Sequence, residues 1–302
     1  MLTNTAALVA VDWGTTCFRL WVLDQGGAVI ANLRGAEGMS VLSPDQFAPV
    51  LEAKLDQLGV PDGVPAVICG MAGAAQGWVE AAYLPVPCAV TDLGAHAVPA
   101  PGAQRPAHIL PGLSQRAPDD VMRGEETQLL GLVQSSGGFD GTVCMPGTHT
   151  KWVTLKGGVV AGFSTAMTGE MFALLTRQSV LRHATGGGGW DTAAFSDAVA
   201  DALEAPVSVP EALFSIRASS LLGALDAPRA RARLSGFLIG AEIAAMRRYC
   251  LSGPVTLIGD DALAGLYRAA LDIAGFDAVL TDADALTLTG LRTANAQIPE
   301  YA

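Results

Sequence analysis

The sequence predicts an α/β protein of two domains built on one pattern. Three observations lead there. Strand-length apolar runs alternate with helix-length amphipathic ones. An apolar strand, a Gly-Thr turn, a second strand, a Gly-Gly turn and a third strand occur twice, starting near residues 7 and 142. The chain's 302 residues suit about two domains. A break at Ser135-Ser136-Gly137-Gly138 puts the boundary between residues 1–136 and 137–302.

In the first copy, Ala7–Asp12 is an apolar strand ending on a carboxylate, and Cys17–Asp24 is the second strand. Gln25-Gly26-Gly27 turns into a third, Ala28–Leu33, making a hairpin. Ser43–Leu58 has Asp/Ser caps and helical periodicity. Pro65–Cys69 is a short buried strand before the turn Gly70-Met71-Ala72-Gly73, and His108–Leu110 is another. Glu125–Val133 reads as a helix. In the second copy the strands are Thr142–Met145, Lys151–Leu155 and Val159–Phe163. Helices follow around Ala193–Leu203, Ile216–Leu225 and Leu234–Tyr249, and Leu234–Met246 of the last is expected to be an apolar interdomain helix. Strand Val255–Ile258, turn Gly259-Asp260 and helix Ala262–Ala274 complete it. Four consecutive glycines, Gly186–Gly189, mark a mobile loop.

Composition narrows the function. Half the residues are hydrophobic, so a sizeable core forms and a disordered chain is excluded. Only 16% are charged, below the roughly 25% usual for soluble proteins, which leans toward a homodimer that covers apolar surface. The net charge is −11, and the only lysines are Lys54, Lys151 and Lys156. No basic stripe is present, so no nucleic-acid partner is expected. The five cysteines form no CxxC pair, which fits reduced thiols in a cytoplasmic protein and no zinc site. The N-terminus lacks the basic region of a signal peptide. No run of about 18 apolar residues exists, so no membrane span is expected.

Two loops carry the chemistry. Asp12-Trp13-Gly14-Thr15-Thr16 joins the first two strands. Glycine admits close backbone approach, the N–H groups and hydroxyls of Gly14, Thr15 and Thr16 donate to phosphate, and Asp12 can hold Mg2+ directly or through water. An ordinary polar-tipped hairpin is the alternative. Pro146-Gly147-Thr148-His149-Thr150-Lys151 occupies the matching place in the second copy. Gly147, Thr148, His149 and Lys151 are its phosphate-binding candidates. A helix start at Gly259-Asp260-Asp261 can meet a nucleotide's sugar or base, so Gly259 and Asp260 are adenosine candidates, although the acids can equally be plain N-caps. GxGxxG and GxxxxGK[ST] are absent, which disfavours a Rossmann site and a P-loop.

The order DWGTT, PGTHTKW, LIGDDALAG resembles the phosphate-1, phosphate-2 and adenosine elements of the acetate/sugar kinase, heat-shock ATPase and actin superfamily. More closely, AVDWGTTCFRLWVL, GMAGAAQGWVEAAYLPVP, ILPGLSQ, DVMRGEETQLLG, MPGTHTKWV, MTGEMFALL, LFSIRASSLLG and LSGFLIGAEIAAM resemble the 2-dehydro-3-deoxygalactonokinase family, in order and over essentially the whole chain. The resemblance implies two actin-like (ribonuclease H-like) domains of mixed sheet flanked by helices, hinged around a nucleotide and substrate cleft. It implies phosphorylation of 2-dehydro-3-deoxy-D-galactonate at its 6-hydroxyl by ATP with Mg2+, in galactonate breakdown. Another sugar acid or amino sugar as acceptor, a nucleotide-switched ATPase module and an actin-type assembly protein are the competing readings.

Roles follow from that chemistry. Phosphoryl transfer needs positioning, charge neutralisation and an acceptor for the hydroxyl proton. Glu125 or Glu126 opens a helix at the place where the superfamily's sugar kinases carry a catalytic carboxylate, with Asp120 as an outside candidate. Both acids also favour a helix N-terminus electrostatically. Arg123 can grip the substrate carboxylate in bidentate fashion, ahead of Arg19, Arg177 and Arg217. Gln76, Trp78 and Tyr83 are sugar-pocket candidates, with core packing as the alternative for Trp78. Thr168 and Glu170 begin a helix that can approach phosphates or substrate. Glu242, inside an apolar helix, must find a partner.

Overall fold

The computed structural model describes residues 5–299; residues 1–4 and 300–302, the outer ends of the two predicted domains, lie outside them. In chain order the first part runs β1 (Ala6–Trp13), β2 (Phe18–Asp24), β3 (Val29–Gly35), α1 (Phe47–Leu58), β4 (Ala66–Gly70), β5 (Tyr83–Pro85), β6 (Cys88–Ala89), β7 (Val98–Pro99), β8 (Ala107–Ile109), β9 (Gly112–Arg116), β10 (Asp119–Met122) and α2 (Glu125–Ser136). There follow β11 (Gly141–Met145), β12 (Thr150–Lys156), β13 (Val159–Ala166), α3 (Thr168–Arg177), α4 (Arg182–Thr185), α5 (Thr192–Glu204), α6 (Val209–Leu221) and α7 (Ala227–Met246). The chain closes with β14 (Val255–Gly259), α8 (Asp261–Ile273), β15 (Ala278–Asp282) and α9 (Ala283–Asn295).

Two compact units result. One comprises residues 1–140, 155–162 and 283–302; the other comprises 141–154 and 163–282. This division differs from a single cut after residue 136. The last helix, α9, belongs with the first unit because it packs on α2 at backbone contact. A Cβ on Gly131 would lie 2.0 Å from the Leu286 carbonyl oxygen, and one on Gly290 would lie 1.9 Å from that of Thr127. Only glycines let two helices approach so closely.

In the first unit the main sheet has the order β3-β2-β1-β4-β8-β7. The hairpin β1–β2–β3 is antiparallel, while β4 lies parallel to β1 and β8 parallel to β4. Its core joins Val9, Val11, Trp13, Phe18 and Leu20 of the sheet to Phe47, Leu51 and Leu55 of α1. A second sheet, β10-β9-β5, stands beside the residues that later form the site. In the second unit the order β15-β14-β11-β12-β13 repeats the β8-β4-β1-β2-β3 arrangement, again with parallel β11–β14–β15 pairing. Each unit thus repeats one sheet pattern, as the duplicated motif implied, in the actin-like form that the family resemblance implied.

The helix expected from Leu234 starts earlier, at Ala227, where Asp226 caps it and Pro228 occupies its first turn. Its apolar residues, among them Leu234, Phe237, Leu238, Ile239 and Ile243, fill the second unit's own core. Among the described residues no helix is long and apolar enough to cross a membrane.

Candidate active site

In the first unit three strand and helix ends meet. Asp12 lies next to the last residue of β1, Gly70 ends β4, and Gly124 precedes α2. Gly70 and Gly124 have φ of 87° and 109°, which side chains rarely adopt. A Cβ on Gly70 would come within 3.3 Å of Asp12 Oδ1, and one on Gly124 within 3.5 Å of the Gly70 Cα. The loop after Asp12 is a tight hairpin: Gly14 N–H donates to the Cys17 carbonyl at 2.9 Å. It is braced from outside, because Met39 and Ser40 N–H donate to the carbonyls of Gly14 and Thr15 at 3.0 and 2.9 Å. Thr15 and Thr16 stand exposed at its tip.

Arg19 sits opposite Asp12 in the β1–β2 register and takes its Oδ2, with Nε at 3.2 Å. The same guanidinium reaches Asp284, which also holds Arg34 at 2.8 Å. Arg19 is thus held in an ion-pair network with Asp12 and Asp284. Oδ1 is the oxygen turned to Gly70. Among the described residues no group of three or more His, Cys, Asp or Glu is placed to hold a metal. One carboxylate oxygen fits Mg2+ that arrives with a nucleotide, since this ion keeps waters and phosphate oxygens as its other ligands.

The two acids of α2 differ sharply. Glu126 is fully buried, and both its oxygens lie 2.8 Å from the Gly124 N–H. Burial, with the Glu125 charge adding, pushes its carboxyl up to about 8. Glu125 is half-buried and accepts from the Arg123 N–H at 3.1 Å. Asp120 lies within β10.

Arg123 is 9% exposed and lies over the Tyr83 ring, 4.1 Å from its centroid. Its Nη2 donates to the Ala81 carbonyl at 2.8 Å and its Nε to the Tyr83 hydroxyl at 3.4 Å. Its Nη1 is buried without a hydrogen-bond partner. A guanidinium held over an aromatic ring with one donor unused has the chemistry to take a carboxylate oxygen. Tyr83 and Gln76 are exposed beside this segment. Trp78 is not part of the pocket: it is 5% exposed, stacks against Phe47 and donates its indole N–H to the Pro101 carbonyl at 2.8 Å.

The second unit presents the other loop. Thr148 and His149 are exposed, and Gly147 has open space where a Cβ would stand. The start of α3 is pressed against them. Glu170 N–H donates to the Thr148 carbonyl at 2.9 Å, and a Cβ on Gly169 would lie 2.2 Å from the Gly147 carbonyl oxygen. His149 Nε2 meets Glu170 Oε2 at 2.5 Å, so Glu170 serves the loop. Thr168 is corrected too: it is 8% exposed and its hydroxyl bonds Glu242. Lys151 is buried on β12. Gly259 comes near Pro146, 3.1 Å from Cβ position to carbonyl oxygen. Asp260 caps α8, its Oδ1 accepting from Ala262 and Leu263 N–H at 3.0 and 3.4 Å, the N-cap role that was the alternative to adenosine binding. Arg177 and Arg217 lie on α3 and α6 of this unit.

Sequence reasoning missed Gly70, Gly124 and the Asp12–Arg19 pair as one assembly. The pair was readable: counting outward from the Gly14–Cys17 hairpin sets Arg19 opposite Asp12.

A family model described as 2-keto-3-deoxy-galactonokinase matches residues 12–294. The chain belongs to this family. Within it, the chain is 45% identical to the probable 2-dehydro-3-deoxygalactonokinase DgoK1 of Rhizobium meliloti (strain 1021), covering 97% of this chain and 98% of that one. It is 34% identical to the 2-dehydro-3-deoxygalactonokinase of Escherichia coli (strain K12), over 96% of this chain and 97% of that one. A crystal structure assigned as a 2-dehydro-3-deoxygalactonokinase from Sinorhizobium meliloti superposes with a TM-score of 0.92 at 44% identity, covering 97% of this chain and 100% of that one.

For this family member the orphaned Nη1 gives a direct test. Arg123→Lys keeps the charge and loses the planar fork, and it raises the KM for a sugar-acid substrate by about 10- to 100-fold, the worth of a charge-assisted hydrogen bond. The KM for ATP stays unchanged in the same steady-state measurement.

Proposed function

We propose that the protein transfers the γ-phosphoryl group of ATP to the 6-hydroxyl of 2-dehydro-3-deoxy-D-galactonate, giving the 6-phosphate and ADP in D-galactonate catabolism. Family membership carries this reading. Arg123 supports an acidic acceptor, because its buried Nη1 has no hydrogen-bond partner within the chain and can donate to a carboxylate oxygen.

In the first unit, Arg123 holds the substrate carboxylate, and Tyr83 and Gln76 line the sugar. Glu125 receives the hydroxyl proton, because its carboxylate is partly open whereas that of Glu126 is enclosed and holds its own proton at neutral pH. The backbone N–H groups and hydroxyls of Gly14, Thr15 and Thr16 take phosphate oxygens. Asp12 would hold Mg2+, directly or through water, and the ion would supply charge neutralisation on the phosphates. In the second unit, Gly147, Thr148 and His149 take phosphate oxygens, and Gly259 admits the nucleoside. We place the reaction in the cytoplasm, where ATP is supplied. The low charge content supports a homodimer.

A coupled ADP-release assay with ATP, Mg2+ and the galactonate compound tests the proposal, run beside the gluconate epimer and a sugar-free blank. ADP release that depends on the galactonate compound is expected. Release indifferent to sugar would overturn it in favour of a nucleotide-switched ATPase, and preference for the epimer would reassign the acceptor.

A further inference from the structure

We propose that Glu242 is a positioning residue for nucleotide binding, holding the Gly147–Thr150 loop and the start of α3 in register through Tyr267 and Thr168. The inference rests on reading that loop as a phosphate site. Glu242 lies on α7 among apolar neighbours and is 6% exposed. A carboxylate in such a place is costly, and an apolar side chain of similar size would fill the helix face at less expense. Its bonds lead to the loop and to the helix braced against it.

Oε1 accepts from the Trp152 indole N–H at 2.7 Å, and Trp152 stands on β12 two residues beyond Thr150. Oε2 accepts from the Tyr267 hydroxyl at 2.7 Å. The Tyr267 oxygen meets Thr150 Oγ1 at 2.8 Å, and Thr150 is fully buried at the end of the loop. The Thr168 hydroxyl is the third donor. Thr168 is the first residue of α3, whose Gly169 and Glu170 touch the loop backbone. One side chain therefore ties the loop where it enters β12 and the helix packed on the loop.

The proton order in this chain is fixed by Glu242. The Tyr267 hydroxyl donates its one proton to Oε2, so at its contact with Thr150 it accepts, and Thr150 donates. Burial raises the Glu242 carboxyl, and the bonds from Thr168, Trp152 and Tyr267 oppose that rise. Glutamine in its place must donate from its amide nitrogen. With its oxygen at Trp152, it donates to Tyr267, which then donates to Thr150, reversing the chain at constant volume.

The test varies both substrates in steady state with Glu242→Gln and Tyr267→Phe, and measures ATP binding by calorimetry and thermal unfolding in parallel. Tyr267→Phe removes only the hydroxyl that connects Glu242 to Thr150. Both variants are expected to raise KM and Kd for ATP by about 10-fold or more, the effect of a small displacement of positioning groups. The KM for the sugar acid should stay within about twofold, a split that a purely structural role would not give. Unchanged ATP binding, a parallel rise in both KM values, or failure of both variants to fold would overturn the inference, by showing that Glu242 serves the core alone. Failure of the unaltered protein to bind ATP would overturn the phosphate-loop reading itself and is recognised separately, before any variant is compared.

Discussion

Glu125→Gln lowers kcat by about 10²- to 10⁴-fold, the usual contribution of a positioned proton acceptor, while the KM values and thermal stability hold. Glu126→Gln changes kcat little. The two acids are neighbours in sequence, yet their environments separate their chemistry. Glu125 is partly open, with one oxygen on the Arg123 N–H. Glu126 is enclosed, and its carboxyl is pushed up to about 8 by burial and then by the Glu125 charge. A group protonated at neutral pH is a poor proton acceptor, and its amide isostere imitates the form already present. The reverse order of activities would move the base to Glu126.

The same contrast sets a pH dependence of stability. The Glu126 carboxyl is raised in the folded state, so its contribution is fully present below the ordinary carboxylate value of 4.5 and is lost as pH climbs toward about 8. The unfolded chain gives up this proton first. The loss amounts to at most about 1.4 kcal/mol per pH unit within that window. Thermal unfolding of the unaltered protein at pH 5 and pH 8 should show this fall, and Glu126→Gln should flatten it. An equal slope in both proteins would show that Glu126 has no raised carboxyl.

Gly169→Ala and Gly147→Ala separate packing from ligand approach in the second loop. At Gly169 a methyl group meets the Gly147 carbonyl oxygen at 2.2 Å and the Thr148 Cα at 2.9 Å, and both are backbone atoms. The helix start or the loop must move, which costs about 1–3 kcal/mol of stability as overpacking does. Both the melting temperature and ATP binding then fall. At Gly147 a methyl group meets nothing within 4 Å. Stability should be unaffected there, while the KM for ATP rises about 10-fold or more if phosphate lies against this backbone, given the sensitivity of positioned groups to small displacements. Normal ATP binding in Gly147→Ala would remove this loop from the nucleotide site.

The loops were legible because their signal is local. An apolar strand that stops at a carboxylate or a proline, followed by Gly-Thr, can be read in six residues, and its recurrence at a matching place gave the duplication. Glu125–Glu126 at a helix start was legible for the same reason. The choice between them was not, since burial of Glu126 depends on the meeting of Gly70 and Gly124, which are 54 residues apart in the chain. The sheet β10-β9-β5 escaped notice because its strands have three to five residues and expose Tyr83 and Val121, which blurs any alternation. Trp78 read equally as a sugar platform or as core until its stacking on Phe47 was seen. The partners of Glu242 come from three distant segments, so the sequence could show that it needed company without showing which. The return of α9 to the first unit left no local mark, because its cause is the pair Gly131 and Gly290, separated by the whole of the second unit.

That return has a consequence for biosynthesis. The second unit is encoded almost without interruption from residue 141 to 282, whereas the first needs residues 283–302. Domains usually fold as they leave the ribosome, the N-terminal one first. Here the order inverts. The face of α2 that carries Thr127, Gln128 and Gly131 lacks its partner helix until translation has passed Asn295. The unit whose strands are made earlier is completed later, and α2 must wait with this face uncovered while about 160 further residues are added.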